Sequence, residues 1–364
     1  MARILYGVSG EGSGHSSRAR EVASWLIEDG HQVKMVSYDR GYRNLADDFD
    51  VFETEGLHIA SVDNRVSMVK TITDNISRLS KGAAKLRELR HVGFRDYRPH
   101  VVLTDFEPMT AYLARHYELP LVSIDNQHRL RHMRHPCPEH LKNDARTTRA
   151  VIKLMVPEPD VYLVTTFWFG EVSNERTFLF PPILRRSVQA LQPRDDGHLL
   201  VYFTSGFEPF IEQLAQFDNE RFLVYGAGRE GSDGPLTFKA PSRDGFLDDL
   251  AGAKAVISTA GFTLMTEAMA LGKPMLALPM AGQFEQELNA VLLEELGLGK
   301  NGRAATADSV GAFLYELPRL RERLAEAKPD DGSALRAALN ELLADDGAGA
   351  RACRARRLAA NSGD

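Results

Sequence analysis

The chain has 364 residues and a formal net charge of −6 at pH 7. This length exceeds what one hydrophobic core usually supports, so two domains are expected. The mildly acidic balance excludes the general basic character of nucleic-acid-binding proteins. The two cysteines, Cys137 and Cys353, lack a metal-binding spacing, which disfavours a zinc site or a disulfide framework and fits a reducing compartment.

No segment predicts export or membrane insertion. The opening residues, Met-Ala-Arg followed by Ile-Leu-Tyr-Gly-Val, form too short an apolar run for a signal peptide. No window approaches the roughly 18 to 20 apolar residues that a membrane-spanning helix needs. We therefore expect a soluble cytoplasmic protein. Its charge is uneven, because residues 65–153 contain seventeen Lys and Arg against nine Asp and Glu, a net of +8.

Strands and helices are predicted to alternate along the chain. In the first half, the predicted strands are Arg3 to Val8, Gln32 to Tyr38, His100 to Thr104 and Leu119 to Ile124, and the helices are His15 to Glu28 and Pro108 to Tyr117. The pattern restarts with strands at His198 to Phe203, Arg221 to Val224, Lys254 to Ser258 and Met275 to Leu278. Short apolar strands alternating with helices predict parallel sheets covered on both faces. The expected fold class is α/β, with two Rossmann-like domains facing each other across a cleft.

The same pattern predicts the domain boundaries. Residues 1–180 form the first domain. Residues 181–190 form a linker, because paired prolines within 178–188 exclude a helix. Residues 191–344 form the second domain, and residues 345–364 form an Ala-, Arg- and Gly-rich tail that is expected to fray or be disordered.

A glycine-rich loop follows the first predicted strand. The segment from Gly7 reads Gly-Val-Ser-Gly-Glu-Gly-Ser-Gly-His-Ser-Ser-Arg. Its glycines permit a tight turn and close approach of a ligand to the next helix N-terminus. A dinucleotide fingerprint requires Gly-x-Gly-x-x-Gly. When the pattern is counted from Gly10, His15 stands where the third glycine should be. Asp39, at the end of the second predicted strand, could still be a ribose-binding acid, so a nicotinamide-dependent oxidoreductase is one alternative.

The most informative segment spans residues 258–289. It predicts a buried strand, a glycine turn, a helix, a Gly-x-Pro corner, a second strand and then polar residues that begin another helix. Gly261 permits close backbone approach, and the free N–H groups of a helix beginning near Phe262 can face a phosphate. Glu267 lies where a carboxylate could accept hydrogen bonds from ribose hydroxyls. The simpler alternative is an ordinary strand–helix–strand of an α/β core.

This segment resembles the donor-sugar signature of GT-B glycosyltransferases, a group that includes plant and antibiotic glycosyltransferases and the N-acetylglucosaminyltransferase that makes lipid II. The resemblance rests on the glycine, the helix with its glutamate, the Gly-x-Pro and the run acid-Gln-x-x-Asn. It implies that Gly261 is the diphosphate-loop glycine and Glu267 the ribose-binding acid. It also implies that Glu285 and Gln286 read the hydroxyls of the donor sugar.

Two positions depart from the plant pattern. Thr259 stands where plant members carry a phosphate-binding histidine, and Leu264 stands where they carry a serine. Phosphate binding would then depend on backbone N–H groups and on the hydroxyl of Thr259 or Thr263.

Two further stretches of the second domain belong to the expected donor site. Ser205 and Gly206 follow its first strand, in a small-residue turn that could admit the donor phosphates. The run around Phe246 and Leu247 resembles the segment whose backbone pairs with uracil in the lipid II enzyme. As an alternative, this run is only a helix start with acids in its first turn.

The resemblance also implies a catalytic pair. In GT-B enzymes a histidine in the glycine-rich loop often removes the acceptor proton, and His15 has that placement; imidazole suits the role. Asp105 is the candidate carboxylate that would hold it. Alternatively, His15 caps its helix or binds donor phosphate, and Asp105 is the N-cap of the helix at Pro108. Glu11 and Glu107 are alternative bases.

The expected acceptor site lies in the first domain. Its candidate residues come from the glycine loop and from two strand ends: Glu11, Gly12, Ser13, Gly14, Glu107, Asn126, Gln127 and His128. Basic residues are frequent in 66–94 and 127–136. They form either an ordinary solvated face or a surface that meets an anionic acceptor, such as a lipid phosphate at the cytoplasmic leaflet.

Residues 3 to 300 are most similar to a poorly characterised group of bacterial and archaeal GT-B proteins. The members of this group share with this chain a Gly-Glu-Gly-x-Gly-His start, an Asp-Phe-Glu-Pro element, an Ile-Asp-Asn-Gln-His element and a Gly-Gln-Phe-Glu-Gln run. The resemblance implies an inverting hexosyltransferase that uses a UDP-sugar and an acceptor hydroxyl, on a lipid-linked or cell-envelope acceptor, without a metal or another cofactor. In this fold the last helix, here 335–343, commonly returns to the first domain. The alternatives are a non-hydrolysing UDP-sugar 2-epimerase and a sugar-nucleotide-binding protein without catalysis.

Overall fold

The computed structural model describes residues 1–56, 61–62, 65–66, 79–204, 206–326 and 331–361. It divides into two compact units. The first comprises Met1–Arg185 together with Asp330–Asp364, and the second comprises Arg186–Pro329. Each unit contains its own seven-stranded sheet.

The first unit is a parallel sheet with helices connecting its strands. Its strands are β1 (Arg3–Val8), β2 (Gln32–Ser37), β3 (Val51–Glu53), β6 (Val101–Asp105), β7 (Leu121–Asp125), β8 (Val161–Thr165) and β9 (Thr177–Phe180), with a small hairpin of β4 (Ser61–Val62) and β5 (Arg65–Val66). Its helices are α1 (Gly14–Glu28), α2 (Asp39–Leu45), α3 (Leu79–Leu89), α4 (Pro108–His116), α5 (Arg129–His132) and α6 (Lys142–Met155). The strand order is β3-β2-β1-β6-β7-β8-β9, and all pairs are parallel.

Hydrophobic burial explains the sheet. The strands β6, β7 and β8 are buried at every residue. Their Val-, Leu- and Ile-rich sequences match strands that are covered on both faces. The helix α1 contributes Ala19, Val22, Ala23 and Leu26 to the same core, at the spacing of one helix face.

The chain end forms a helix of the first unit. The helix α13, which follows the helices of the second unit in chain order, spans Ser333–Asn361 and is kinked at residues 344–347. Leu335, Leu339 and Leu343 before the kink are buried in the core that contains β1 and α1. Gly347 has a φ of +89°, and a Cβ there would lie 2.4 Å from Val101 Cγ2. Glycine is therefore required at this position on both counts.

The expectation that residues 345–364 are a frayed or disordered tail is wrong for residues 348–361. That segment is helical, and Ala350 is fully buried. Arg357 contributes a buried ion pair with Asp160. The sequence suggested a tail because the segment is rich in Ala, Arg and Gly, but tertiary packing stabilises the helix there.

The second unit repeats the architecture. Its strands are β10 (His198–Tyr202), β11 (Phe222–Tyr225), β12 (Gly231–Asp233), β13 (Leu236–Lys239), β14 (Ala253–Ser258), β15 (Met275–Ala277) and β16 (Gly299–Asn301). Its helices are α7 (Arg186–Gln189), α8 (Glu208–Gln213), α9 (Arg243–Gly252), α10 (Phe262–Ala270), α11 (Phe284–Glu295) and α12 (Ala307–Ala325). The order is β12-β13-β11-β10-β14-β15-β16. Among the strand pairs of the described residues in this unit, only β12–β13 is antiparallel.

The topology explains where the sites lie. In each sheet the strand order reverses beside the first strand, between β1 and β6 and between β10 and β14. Ligands of open α/β sheets bind outside the carboxyl ends of strands at such a switch point. The first turn of α1, which follows β1, carries His15, and the end of β6 carries Asp105, whereas the turn after β14 carries Gly261.

The α/β fold class expected from the sequence is confirmed, and the predicted strands and helices agree with the structure to within two residues at each end. The expected extended linker differs in detail. Residues 177–180 form β9, which pairs with β8, and residues 186–189 form a short helix. Helix is excluded only near Pro181 and Pro182, since each proline restricts its own φ and the preceding residue.

Candidate active site

The first candidate site is a histidine–aspartate pair at the switch point of the first unit. Nδ1 of His15 lies 2.6 Å from Oδ1 of Asp105. Parallel pairing of β1 with β6 places Val8 opposite Asp105, so the loop after β1 begins beside this carboxylate. Asp105 is fully buried, whereas the His15 side chain is 12% exposed. The imidazole is thus the member of the pair that solvent reaches.

Arg18 completes this cluster, and the sequence analysis did not identify it. Its Nε donates to Asp105 Oδ2 at 2.7 Å, and its Nη2 donates to Asp105 Oδ1 at 2.6 Å. Burial acts to lower the pKa of the Arg18 guanidinium, but the Asp105 carboxylate outweighs it and raises that pKa above its usual value. The spacing could have indicated Arg18, because residues 15 and 18 are three apart and therefore share one face of a helix.

The glycine loop is exposed in front of the pair. Glu11, Gly12 and Ser13 are exposed, and Gly14 begins α1. Gly12 has a φ of +75°, a left-handed conformation that favours glycine. Ser13 occupies the N-cap position and gives no side-chain capping hydrogen bond. His15 therefore lies inside the first helical turn, and the alternative that it caps the helix is wrong.

Glu107 has a structural position. It is fully buried and is the N-cap of α4, accepting hydrogen bonds from the backbone N–H groups of Met109 and Thr110 at 2.8 and 2.7 Å. Burial raises the pKa of its carboxyl above the usual value. Its carboxylate faces the helix backbone, which corrects its expected place at the acceptor site. The N-cap role that one alternative gave to Asp105 belongs to Glu107.

The aromatic ring of Phe106 contacts two histidines. Its ring stacks with the His15 imidazole at a centroid distance of 6.2 Å and an interplanar angle of 12°. Its other neighbour is His128, at 6.4 Å in an edge arrangement. Phe106 has a φ of +58°, which is strained for a side chain of this size and is typical of functional sites.

The candidates after β7 divide into two groups. Asn126 joins the first cluster, because its Oδ1 accepts a hydrogen bond from Nη1 of Arg18 at 3.1 Å. His128 is fully buried and forms a second pair, with its Nδ1 2.6 Å from Asp125 Oδ2. Burial acts to raise the pKa of Asp125, but His128 lowers it well below the usual range. Gln127 is half-buried.

The second candidate site is the turn between β14 and α10. Gly261 is the N-cap of α10, with no side-chain capping hydrogen bond. An added Cβ at Gly261 would find its nearest atom, Thr259 Oγ1, only at 4.0 Å. Thr259 and Thr263 are half-buried around this opening. A helix N-terminus with space before its N–H groups suits an anion such as a phosphate.

The helix α11 supports this turn. Nδ2 of Asn289, a fully buried residue, donates to the backbone carbonyl of Ala260 at 2.8 Å. Gln286 accepts from the N–H of Met280 at 3.1 Å and donates to Gln283 Oε1 at 2.7 Å. Within the acid-Gln-x-x-Asn run, asparagine therefore holds the glycine turn in place. Glu267 is buried on α10, and Glu285 is half-buried.

The remaining residues expected at the donor site differ in their burial and contacts. The side chain of Ser242 caps α9 by accepting from the N–H of Gly245 at 3.1 Å, so the segment is a helix start, as one alternative held. Phe246 contacts the rings of Tyr202 and Tyr225 edge-on, and Leu247 is buried. Gly206 is exposed with a φ of +81°. Ser205 lies outside the described residues.

Two negative findings concern the part of the chain that the structure describes. In it, no group of three or more His, Cys, Asp or Glu side chains is arranged to hold a metal ion. None of its helices combines the length and the hydrophobicity needed to cross a bilayer.

Comparisons with known proteins agree with this architecture. A glycosyltransferase of Methanosarcina acetivorans is 25% identical over 340 residues, which cover 82% of this chain and 85% of that protein. The crystal structure of the kitacinnamycin glycotransferase covers 98% of both chains, with a TM-score of 0.65 and 19% identity. Phytolacca americana UGT2, solved with UDP-2-fluoro-glucose and pterostilbene, covers 100% of both chains with a TM-score of 0.61 and 14% identity.

The two solved structures show the GT-B fold, which the epimerase alternative would share. The relatives named as glycosyltransferases favour a transferase over the epimerase. The family model described as "Glycosyl transferase family 1" matches residues 2–318, which is most of the chain. Its members use nucleotide sugars and acceptors as substrates. The family match, together with the two α/β sheets and the relatives, shows that the protein is a glycosyltransferase that belongs to glycosyl transferase family 1.

Proposed function

We propose that this enzyme transfers a hexosyl group from a UDP-sugar to an acceptor hydroxyl, with inversion at the anomeric carbon and without a metal. The observation that carries the proposal is the 2.6 Å contact between His15 Nδ1 and Asp105 Oδ1. A neutral imidazole with one nitrogen held by a carboxylate presents its other nitrogen as a proton acceptor. That is the arrangement of a general base.

In the proposed reaction, Nε2 of His15 takes the proton of the acceptor hydroxyl. The acceptor oxygen attacks the anomeric carbon, and the bond from that carbon to the diphosphate oxygen breaks on the opposite side. The bonding electrons leave with UDP. Asp105 stabilises the imidazolium that forms. A single displacement of this kind inverts the anomeric configuration.

The turn at Gly261 is the proposed site of the donor diphosphate. The N–H groups of the first turn of α10 and the hydroxyls of Thr259 and Thr263 stabilise the leaving diphosphate, so the proposal needs no metal. Glu267 binds the ribose hydroxyls, and Glu285 with Gln286 binds the sugar. The complex of the plant protein with UDP-2-fluoro-glucose supports uracil as the donor base.

The location proposed for this activity is the cytoplasmic face of a membrane, with a lipid-linked or cell-envelope acceptor. The supporting observation is a stripe of four exposed cations on α6, which we call the α6 stripe: Lys142, Arg146, Arg149 and Lys153. Their spacing of four, three and four residues places them on one helix face. Such a face attracts anionic lipid headgroups. The expected basic stretch at 66–94 lies partly outside the described residues.

The test of the donor is a thermal-shift series with UDP, UDP-sugars, GDP, TDP, ADP and NAD. A ligand at about a hundred times its dissociation constant adds roughly 2.7 kcal/mol of stability, which is enough for a shift of several degrees. A selective response to UDP supports the proposal, whereas a response to NAD alone contradicts it. The anomeric signals of the product, followed by NMR, test inversion. A protein that binds a UDP-sugar but releases no UDP with any acceptor tested would be non-catalytic.

A further inference from the structure

Arg18 connects the two strand ends of the first candidate site. It is 6% exposed, and three of its nitrogens have acceptors: Asp105 Oδ2 for Nε, Asp105 Oδ1 for Nη2 and Asn126 Oδ1 for Nη1. The planar guanidinium thus holds both oxygens of one carboxylate while a third contact fixes its own orientation. This bidentate geometry is available to arginine and not to lysine.

Arg18 also lies against the imidazole. Its Nη2 is 3.4 Å from His15 Nδ1, the nitrogen that faces Asp105. With a neutral imidazole, the three side chains carry one positive and one negative charge. Protonating the imidazole would place a second cation beside the guanidinium in a largely buried site, where like charges repel strongly.

We infer that Arg18 is a positioning residue that fixes Asp105 as an ionised partner of His15 and opposes protonation of the imidazole. The inference rests on the proposed role of His15 as general base, because only the unprotonated pair can accept a proton. Without Arg18 a lone buried anion would remain, and the pair would take up a proton at higher pH. Since the two groups titrate together, the proton belongs to the pair.

The other titratable groups around this cluster do not replace Arg18. Tyr6 on β1 and Asp125 on β7 both interact with Arg18 electrostatically, and Glu11 lies in the loop before α1. Burial raises the pKa of the Tyr6 hydroxyl, so it stays uncharged. Asp125 remains ionised beside His128. None of these groups is a cation in contact with Asp105, so the loss of Arg18 is not compensated.

The test is a histidine NMR titration, in which His15→Gln assigns the His15 ring signal. In Arg18→Gln the pH midpoint of that signal is expected to rise by about one unit or more, because a neighbouring cation shifts such equilibria by one to three units. Arg20→Gln is the matched control, since Arg20 lies on the same helix and pairs with Asp48 away from the site. An unchanged or lowered midpoint in Arg18→Gln would overturn the inference.

A second variant covers the case in which Arg18→Gln fails to fold. Arg18→Lys keeps the charge but loses the bidentate contact, so its midpoint should rise by a smaller amount. Its kcat for UDP release at pH 7 should fall about tenfold while KM for the donor stays within twofold. Wild-type titration and turnover in Arg18→Lys would contradict the inference. The titration needs no turnover, so it separates failure of the Arg18 role from failure of the proposed reaction.

Discussion

Nε of Arg357 donates a 2.6 Å hydrogen bond to Oδ1 of Asp160, and both side chains are buried. The other oxygen of Asp160 accepts from the N–H of Leu121 at 2.9 Å, at the start of β7. Arg357 therefore attaches the last helical segment to the sheet of the first unit, and its Nη1 also lies 3.6 Å from Oε2 of Glu158. A buried carboxylate that loses its cation is costly, because no opposite charge then offsets its desolvation.

Replacing Arg357 with Met should destabilise the protein by about 3 kcal/mol, since Asp160 would stay buried without its ionic partner. Equilibrium urea unfolding measures the change. Arg356→Met is the matched control, because Arg356 is an exposed neighbour on the same helix. The control should lie within about 0.5 kcal/mol of the wild type. Equal effects of the two substitutions would show that this ion pair does not hold the helix.

Glu107 predicts a pH dependence of stability. Burial raises the pKa of this carboxyl above its usual value of 4.5, so the folded state favours the neutral acid. That contribution is complete below pH 4.5 and is lost as pH rises through the raised folded-state pKa. Glu107→Gln stays neutral throughout. The free energy of unfolding of Glu107→Gln minus that of the wild type should therefore grow from pH 4 to pH 8.

The change of this difference with pH reports the titration of Glu107, because the glutamine side chain does not titrate. Urea unfolding of both proteins at several pH values provides the difference. A difference that does not change with pH would mean that Glu107 titrates normally in the folded protein.

Substitutions of the two glutamates of the proposed donor site, Glu267 and Glu285, should distinguish nucleotide binding from sugar binding. In the proposed donor site Glu267 is a charged acceptor of the ribose hydroxyls, and removing such an acceptor costs about 1.5–3 kcal/mol. The UDP dissociation constant of Glu267→Gln should therefore rise at least tenfold. Glu285→Gln should leave the affinity for UDP within twofold and weaken only the UDP-sugar. Isothermal titration calorimetry with UDP and with a UDP-sugar measures both. Similar effects of the two variants on UDP would refute the assigned roles.

The α6 stripe predicts salt-sensitive binding to anionic vesicles. Each basic residue near such a surface contributes about 1 kcal/mol, so the double variant Arg146→Glu/Lys153→Glu should bind at least tenfold more weakly. The measurement is flotation with phosphatidylcholine vesicles that do or do not contain phosphatidylglycerol. Arg319→Glu/Arg323→Glu on α12 changes the net charge equally and should bind as the wild type does. Binding that ignores phosphatidylglycerol would exclude the proposed contact.

The sequence predicted those parts of the fold that depend on short-range patterns. Apolar strand patterns located β1, β6, β10 and β14, with glycines after β1, β10 and β14, and parallel topology then brought His15 to Asp105. The start of α10 at Phe262 followed from Gly261 in the same way.

The missed features depend on tertiary contacts. Arg18 is an ordinary helix residue in sequence, and only the fold brings β6 beneath it. Glu107 was expected at the acceptor site because it follows Asp105 at the same strand end, but Pro108 begins a helix that the acid caps. Residues 348–361 have a tail-like composition, and their helix depends on burial of Ala350 and on the partner of Arg357.

The most direct test of the central claim is UDP release by His15→Gln. Glutamine keeps a polar side chain at the first turn of α1 but cannot act as a base, so kcat should fall by about 10² or more. The UDP dissociation constant should stay within twofold of the wild-type value, because the proposed nucleotide site lies in the second unit. A His15→Gln enzyme that releases UDP at the wild-type rate would contradict the account.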